Sequence, residues 1–350
     1  MKTVKANAST AYDIIIGKGI LSRLGEFCRE RIKPCRVCIV SDSNVAPLYL
    51  EKAKASLLDS GFDVISFIIP AGEESKSTAS LVALLEFLAE ERMTRSDITL
   101  ALGGGVVGDL CGFASAIYLR GIRFVQVPTT LLAAVDSSVG GKTAVDLAAG
   151  KNLAGAFHQP SLVICDYTTL DTLSDRIFSD GCAEVIKYGV INDRELFDRL
   201  RGGIKENIEE IITRCVINKA KIVENDEFDL GTRQLLNLGH TVGHAIELCS
   251  HMEISHGSAV AIGMVIVTRS AVKQDLCKSE ALDELISVLK KADLPIYCPY
   301  NAAELTSFAL GDKKRAGDSI SLVVPFGIGD SRLMKLPVNQ LEDFISKGLL

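Results

Sequence analysis

Asp97-Ile98-Thr99-Leu100-Ala101-Leu102 runs directly into Gly103-Gly104-Gly105-Val106-Val107-Gly108-Asp109, and then into the helix-like stretch Leu110–Tyr118. An apolar strand, a glycine-rich turn and a helix in that order satisfy the spacing G-x-G-x-x-G in the context where it carries meaning. Glycines let the backbone approach a pyrophosphate, and a helix N-terminus offers unpaired N–H groups and a positive dipole end. A tight structural turn would satisfy the same letters. Two features separate this loop from the standard dinucleotide fingerprint. It follows a middle strand rather than the first, and no acid stands about 20 residues later on the next strand. An acid stands upstream instead: Asp42, at the end of the strand-like run Arg36–Ser41, where it could hold a ribose hydroxyl.

Outward from this loop, short apolar runs alternate with amphipathic segments. Strands are expected at Arg36–Ser41, Asp63–Ile69, Asp97–Leu102, Ile122–Val127 and Ser161–Cys165, with helices such as Pro47–Ser60 and Ser80–Arg92 between them. Nearly continuous apolar strands separated by helices imply a mostly parallel, Rossmann-like sheet covered on both faces. Met1–Ile16 offers two further strands, as a hairpin or an edge addition. Beyond about Leu173 the apolar spacing turns to 3.6, and helices are expected over Asp175–Leu200, Gly203–Val223, Thr232–Cys249, Ser258–Leu276 and Glu280–Leu294. Only Ile320–Pro325 breaks that pattern with a strand-like run. The expected organisation is therefore an α/β nucleotide-binding domain over residues 1–173 and an α-helical, metal-binding domain over 174–350, with the cleft between them as the default site.

Composition narrows the classes. At 350 residues, 47% hydrophobic and 23% charged, the chain has ample core for two domains and is not disordered. A net charge of −6 argues against a nucleic-acid partner. No apolar stretch reaches the roughly 20 residues needed to span a bilayer, and Met1–Ile20 shows no signal-peptide core, so a cytoplasmic protein is expected. Ten cysteines are scattered, mostly in apolar runs, as buried reduced thiols would be. The one C-x-x-C, Cys35 to Cys38, opens a strand rather than a helix, unlike a redox pair.

Residues 101–160 hold only Asp109, Arg120, Arg123, Asp136, Lys142, Asp146 and Lys151 as charges, and an ion in such surroundings needs a partner or a task. Lys142 follows Gly140-Gly141, and Lys151 follows Gly150. Small residues ahead of a lysine can wrap an anion, although a solvated loop lysine reads the same way. Of the five histidines, four lie within residues 240–256. His240 and His244 share a helical face at i and i+4, and His256 precedes the next helical run. Imidazoles at this density suit a divalent transition metal, and one of the helical pair could instead shuttle protons. Glu184, an acid among apolar neighbours with Lys187 one turn later, is the candidate third ligand. Thr241 occupies the place of the acid in the His-Glu-x-x-His pattern, so a metalloprotease is not expected.

Together GGGVVGD, VPTTLLAAVDSSVGGKTAVD, GKNLAGAFHQP, AEVIKYG, RQLLNLGHTVGHAIE and SHGSAVAIGM resemble the 3-dehydroquinate synthase family, over about Ser41 to Lys314. The resemblance implies a homodimer that turns a small-molecule sugar phosphate, 3-deoxy-D-arabino-heptulosonate 7-phosphate, into 3-dehydroquinate and phosphate in the shikimate pathway. It implies NAD, used and regenerated in each turnover, and one zinc or cobalt ion. Carried over by motif, Glu184, His240 and His256 are the metal ligands, and His244 is the acid/base residue. NAD contacts fall on Asp42, Asn44, Glu73, Lys76, Gly104, Gly105, Asp109, Thr129, Thr130, Lys142, Lys151 and Thr172. Substrate contacts fall on Arg120, Asp136, Lys142, Asn152, Lys187, Lys219, Arg233 and Asn237, with Lys314, ahead of Lys313, for the phosphate. Asp229 departs from the pattern, standing where the family commonly carries Glu.

The reaction implied is transient oxidation at C5, phosphate elimination, re-reduction and an intramolecular aldol closure. A sibling sugar-phosphate cyclase such as 2-deoxy-scyllo-inosose synthase should alter the VDSSVGGKTAV segment, which is intact here. A metal-dependent polyol dehydrogenase would not need so many lysines around one pocket. A non-catalytic nucleotide-binding module would leave the convergence of Glu184, His240 and His256 to coincidence.

Overall fold

The computed structural model describes residues 1–311 and 318–349. The chain forms two compact units: Met1–Leu173 with Lys219–Phe228, and Ser174–Asn218 with Asp229–Leu350.

The first unit is built on strands β1 (Lys2–Ala6), β2 (Tyr12–Gly17), β3 (Arg36–Asp42), β4 (Asp63–Ile69), β5 (Ile98–Gly103) and β6 (Arg123–Pro128), with the pair β7 (Lys142–Leu147) and β8 (Gly150–Phe157) ahead of β9 (Leu162–Asp166). Helices α1 (Leu24–Arg29), α2 (Ala46–Asp59), α3 (Thr78–Glu90) and α4 (Gly105–Ile117) connect them. The seven-stranded sheet has the order β1-β2-β9-β6-β5-β3-β4, parallel except for β1. Alternation along β3 sorts its side chains to opposite faces. Val37 and Ile39 join Leu24 and Leu57 of α1 and α2, whereas Cys38 and Val40 join Leu84, Leu110 and Ala114 of α3 and α4. Because β4 lies on one side of β3 and β5 on the other, strand order reverses between β3 and β5. Their carboxyl ends, Asp42 and Gly103, flank the switch point where such sheets bind ligands.

The N-terminal strands are both a hairpin and an edge addition, with β2 pairing in parallel with β9. The β7–β8 hairpin lies outside the main sheet, and its small-residue run carries no readable alternation.

The second unit contains α5 (Asp175–Asn192), α6 (Arg194–Leu200), α7 (Ile208–Asn225), α8 (His240–Cys249), α9 (His256–Lys273), α10 (Ser279–Lys291) and α11 (Ala302–Gly311), then the hairpin β10 (Ser319–Gly327) and β11 (Asp330–Pro337) and helix α12 (Leu341–Gly348). The residues of α7 from Lys219 onward belong to the first unit. The expected helix Asp175–Leu200 is two helices. Asp193 leaves helical geometry at φ −136° and caps the second by accepting the N–H of Leu196 at 2.8 Å. The expected helix Thr232–Cys249 begins only at His240, because Gly239 holds φ +78° and Thr232–Asn237 form a tighter 3-10 turn. α9 is buried on nearly every side from Gly257 to Ala271, as the central helix of its unit. Among the described residues no helix is long and apolar enough to cross a membrane.

Candidate active site

In the second unit, three helices converge on one carboxylate. Glu184 lies midway along α5 and is fully buried; His240 opens α8 and His256 opens α9. The close crossing of α8 and α9 depends on missing side chains, since a Cβ on Gly263 would stand 2.1 Å from the carbonyl oxygen of Gly239. Glu184 Oε1 lies 3.5 Å from His240 Nε2 and 3.4 Å from His256 Nε2. Ligands of a tetrahedral ion at about 2.1 Å stand about 3.4 Å apart, so these separations suit one zinc-like cation. The donor chemistry agrees, because each ring is held from behind. The Nδ1–H of His240 donates to the Leu238 carbonyl at 3.1 Å, and that of His256 to Glu247 Oε2 at 3.3 Å. Both rings thus turn Nε2 toward Glu184.

Lys187 Nζ grips Glu184 Oε2, and both side chains are only 1% exposed. Burial, reinforced by the Lys187 charge, pulls His240 down to about 3, which keeps its ring neutral and able to ligate. Burial acts the same way on His256, but the carboxylates of Glu184 and Glu247 outweigh it and raise that ring to about 10. The His244 ring centroid is 5.5 Å from that of His240 and 6.0 Å from that of His256. Arg233 is buried within the turn Thr232–Asn237, which ends on Asn237.

In the first unit, α4 starts at Gly105 behind an extended Gly104, and a Cβ on Gly104 would press to 3.1 Å from Thr130. The Oγ1 of Thr129 and the Oγ of Ser138 are buried and have no hydrogen-bond partner among the described residues, as groups reserved for a bound ligand would be. Asp42 Oδ1 accepts the N–H groups of Asn44 (2.8 Å) and Val45 (3.0 Å) at the start of α2. Buried Lys76 pairs with Asp109 Oδ2 and donates to Asn152 Oδ1, both at 2.5 Å. Burial alone would lower its pKa, but Asp109 and Glu73 raise it, so the ammonium keeps its charge. The β7–β8 hairpin supplies Asn152 to this cluster and sets Lys151 at 4.0 Å from Glu73. Thr172 shares a 2.7 Å hydrogen bond with the Tyr49 hydroxyl. Lys219, on the part of α7 that belongs here, grips the Asp136 side chain and donates to its carbonyl at 2.7 Å. Lys142 opens β7 after Gly140 and Gly141, both at positive φ.

Arg120 is not gathered with these groups. It lies beyond the C-terminal end of α4, which spans about 20 Å from the glycine loop. Lys313 and Lys314 lie outside the described residues. Glu247 escaped the sequence reading, since a Glu following Ala245 and Ile246 on an amphipathic helix reads as a solvent-facing position. Its signal was the i,i+3 spacing from His244.

The family model "3-dehydroquinate synthase N-terminal" matches residues 66–180, and "3-dehydroquinate synthase C-terminal" matches residues 181–315. A 3-dehydroquinate synthase from Pelobacter propionicus is 47% identical over 340 residues, covering 95% of each chain. One from Streptococcus sanguinis is 44% identical, covering 96% of this chain and 97% of the relative. The chain belongs to the 3-dehydroquinate synthase family. Its function is the family's, the synthesis of 3-dehydroquinate. Among solved structures, a 2-deoxy-scyllo-inosose synthase complexed with carbaglucose-6-phosphate, NAD+ and Co2+ superposes with a TM-score of 0.89 at 26% identity, covering 99% of this chain and 100% of that one. A 2-epi-5-epi-valiolone synthase from Streptomyces hygroscopicus with NAD+ and Zn2+ gives 0.88 at 26%, covering 99% and 98%. A glycerol dehydrogenase from Schizosaccharomyces pombe, at 16% identity and TM-score 0.67 over 96% and 88%, shares the fold alone. The sibling cyclase is thus the more distant likeness in sequence, and the polyol dehydrogenase more distant still.

Proposed function

We propose that the chain turns 3-deoxy-D-arabino-heptulosonate 7-phosphate into 3-dehydroquinate and phosphate, a carbon–oxygen lyase acting on a phosphate, as a cytoplasmic homodimer in the shikimate pathway. The observation that carries this reading is the convergence of Glu184 with His240 and His256 at separations of 3.5 and 3.4 Å. When bound, NAD supplies reversible hydride transfer at C5, and a zinc or cobalt ion acidifies the hydroxyl to be oxidised.

Glu184, His240 and His256 hold the cation. Lys187 pairs with Glu184 in its buried setting and stands ready to neutralise charge on the substrate. His244, beside both ligand rings, carries protons. The glycine loop at Gly104 and Gly105 and the orphaned hydroxyl of Thr129 receive the dinucleotide, with Thr130, Thr172, Asp42, Asn44 and Glu73 around it. Lys76, fixed between Asp109 and Asn152, offers an immobile positive charge that costs no reorganisation during the reaction. Lys151 and Lys142 add anion-binding charge. Asp136 orients Lys219, and Lys219, Arg233, Asn152 and Asn237 bind the substrate, with Lys314 for its phosphate.

The test is phosphate release from the heptulosonate phosphate with NAD far below stoichiometric amounts, followed by identification of the product. Many turnovers per NAD with 3-dehydroquinate as product are expected. A requirement for one NAD per turnover, or a different carbocycle, would overturn the assignment.

A further inference from the structure

Glu247 lies on α8 one turn beyond His244, 3% exposed, behind the His256 ring. Its Oε2 accepts from His256 Nδ1 at 3.3 Å, while the opposite nitrogen, Nε2, stands 3.4 Å from Glu184 Oε1. An ionised carboxylate only accepts, so the Nδ1 proton points at Glu247, which leaves Nε2 as the nitrogen facing the cation set.

The main chain of the same residue closes the turn that delivers His256. The Ser250 hydroxyl and the Met252 N–H both donate to the Glu247 carbonyl at 2.9 Å, and the Ile254 N–H donates to Ser250 Oγ at 3.1 Å. His251 and Met252 hold left-handed φ of 49° and 66°, a costly backbone that persists only where its surroundings fix it. One residue thereby sets both where His256 arrives and which nitrogen it presents.

A rival use exists, because His244, Glu247 and His256 also bring ligand atoms within 4.8 Å of one another. An ion there would need Nδ1 of His256 and would move the ring's proton to Nε2, opposite Glu184. His240, whose Nδ1–H is committed to the Leu238 carbonyl, would then face Glu184 without its partner imidazole. The geometry favours the first set.

We propose that Glu247 is a positioning residue for the divalent cation: it orients His256 through Nδ1 and is not itself a ligand. This rests on the reading that Glu184, His240 and His256 hold that cation.

The experiment titrates the chelator-stripped full chain with Zn2+, measuring the dissociation constant, and with Co2+, following visible absorption, in wild type, E247M, E247Q and E184Q. E247M should weaken Zn2+ binding about 10–100-fold, the usual loss for such a partner. E247Q, whose amide carbonyl still accepts, should recover most of that loss but shift the Co2+ spectrum, because a neutral acceptor makes the imidazole less basic. E184Q should lose binding. Wild-type affinity in E247M, with binding lost in E184Q, overturns the positioning role and leaves the cation reading intact. Loss in E247M and E247Q alike, with E184Q binding normally, places the ion in the rival set and overturns both. If E247M does not fold, E247Q carries the test, and wild-type affinity together with a wild-type Co2+ spectrum refutes the role.

Discussion

Replacing Lys187 with Met probes the electrostatics of the cation set without touching a ligand. Lys187 and Glu184 are in direct contact with both side chains 1% exposed, and Met nearly matches the volume removed. Breaking a buried ion pair by removing one partner costs about 3–5 kcal/mol. His256 Nε2 stays 3.4 Å from the same carboxylate, which places the cost at the lower end, about 3 kcal/mol. A body of this size moves its melting midpoint by about 2–4 °C per kcal/mol, so metal-free K187M should melt about 6–12 °C below wild type. A divalent cation among Glu184, His240 and His256 brings two positive charges to the Glu184 carboxylate. Saturating Zn2+ should therefore close at least about half of the gap, beyond the stabilisation that binding gives both proteins. Thermal unfolding followed by circular dichroism, with chelator and with Zn2+, reads both numbers. A metal-free variant that melts with wild type, or a gap indifferent to Zn2+, refutes the reasoning.

Two further outcomes are expected. G257A should lose about 1–3 kcal/mol in chemical denaturation and bind Zn2+ more weakly, because its Cβ would stand 2.2 Å from the Asp180 carbonyl oxygen and push α9, with His256, off α5; unchanged stability would show that this contact yields freely. Burial alone would raise the Asp193 carboxyl, but Arg214, the Leu196 N–H and Asn218 hold it below the ordinary range. A folded pKa below the unfolded one gives stability that is complete above about pH 4 and fades as pH falls through the lower value. Midpoints of wild type and D193N should thus differ at neutral pH and converge below about pH 4, and a constant difference would contradict the assignment.

Much of this architecture is local information, and such information is legible in a sequence. The glycine run after Leu102 places the start of α4, and apolar runs such as Val37–Val40 announce strands covered on both faces. Glu184 was conspicuous because its neighbours are apolar, and His240 and His244 because they recur at helical spacing. What escaped depends on contacts between distant residues. Glu247 has an ordinary helical context, and only the return of the chain at His256 gives its carboxylate a partner. The start of α8 was misplaced because a helical period continues through Thr232–Asn237, whereas the positive φ of Gly239 interrupts it. β11 carries alternation too weak to detect, and it pairs only once β10 is laid beside it. Lys219–Phe228 continues a helix of the second unit yet packs with the first, which no periodicity reports.

That last segment bears on synthesis at the ribosome. Glu227 accepts the Ser9 N–H and hydroxyl, both at 2.7 Å, and the Gln159 amide at 2.8 Å, across separations of 218 and 68 residues. The amino-terminal unit therefore remains unfinished when Leu173 emerges, and waits for 55 more residues, roughly 3–11 s at ordinary elongation rates. Nascent β1–β2 and the strand pair before β9 spend that interval without their clasp, so the first unit closes only after the opening segment of the second has already been made.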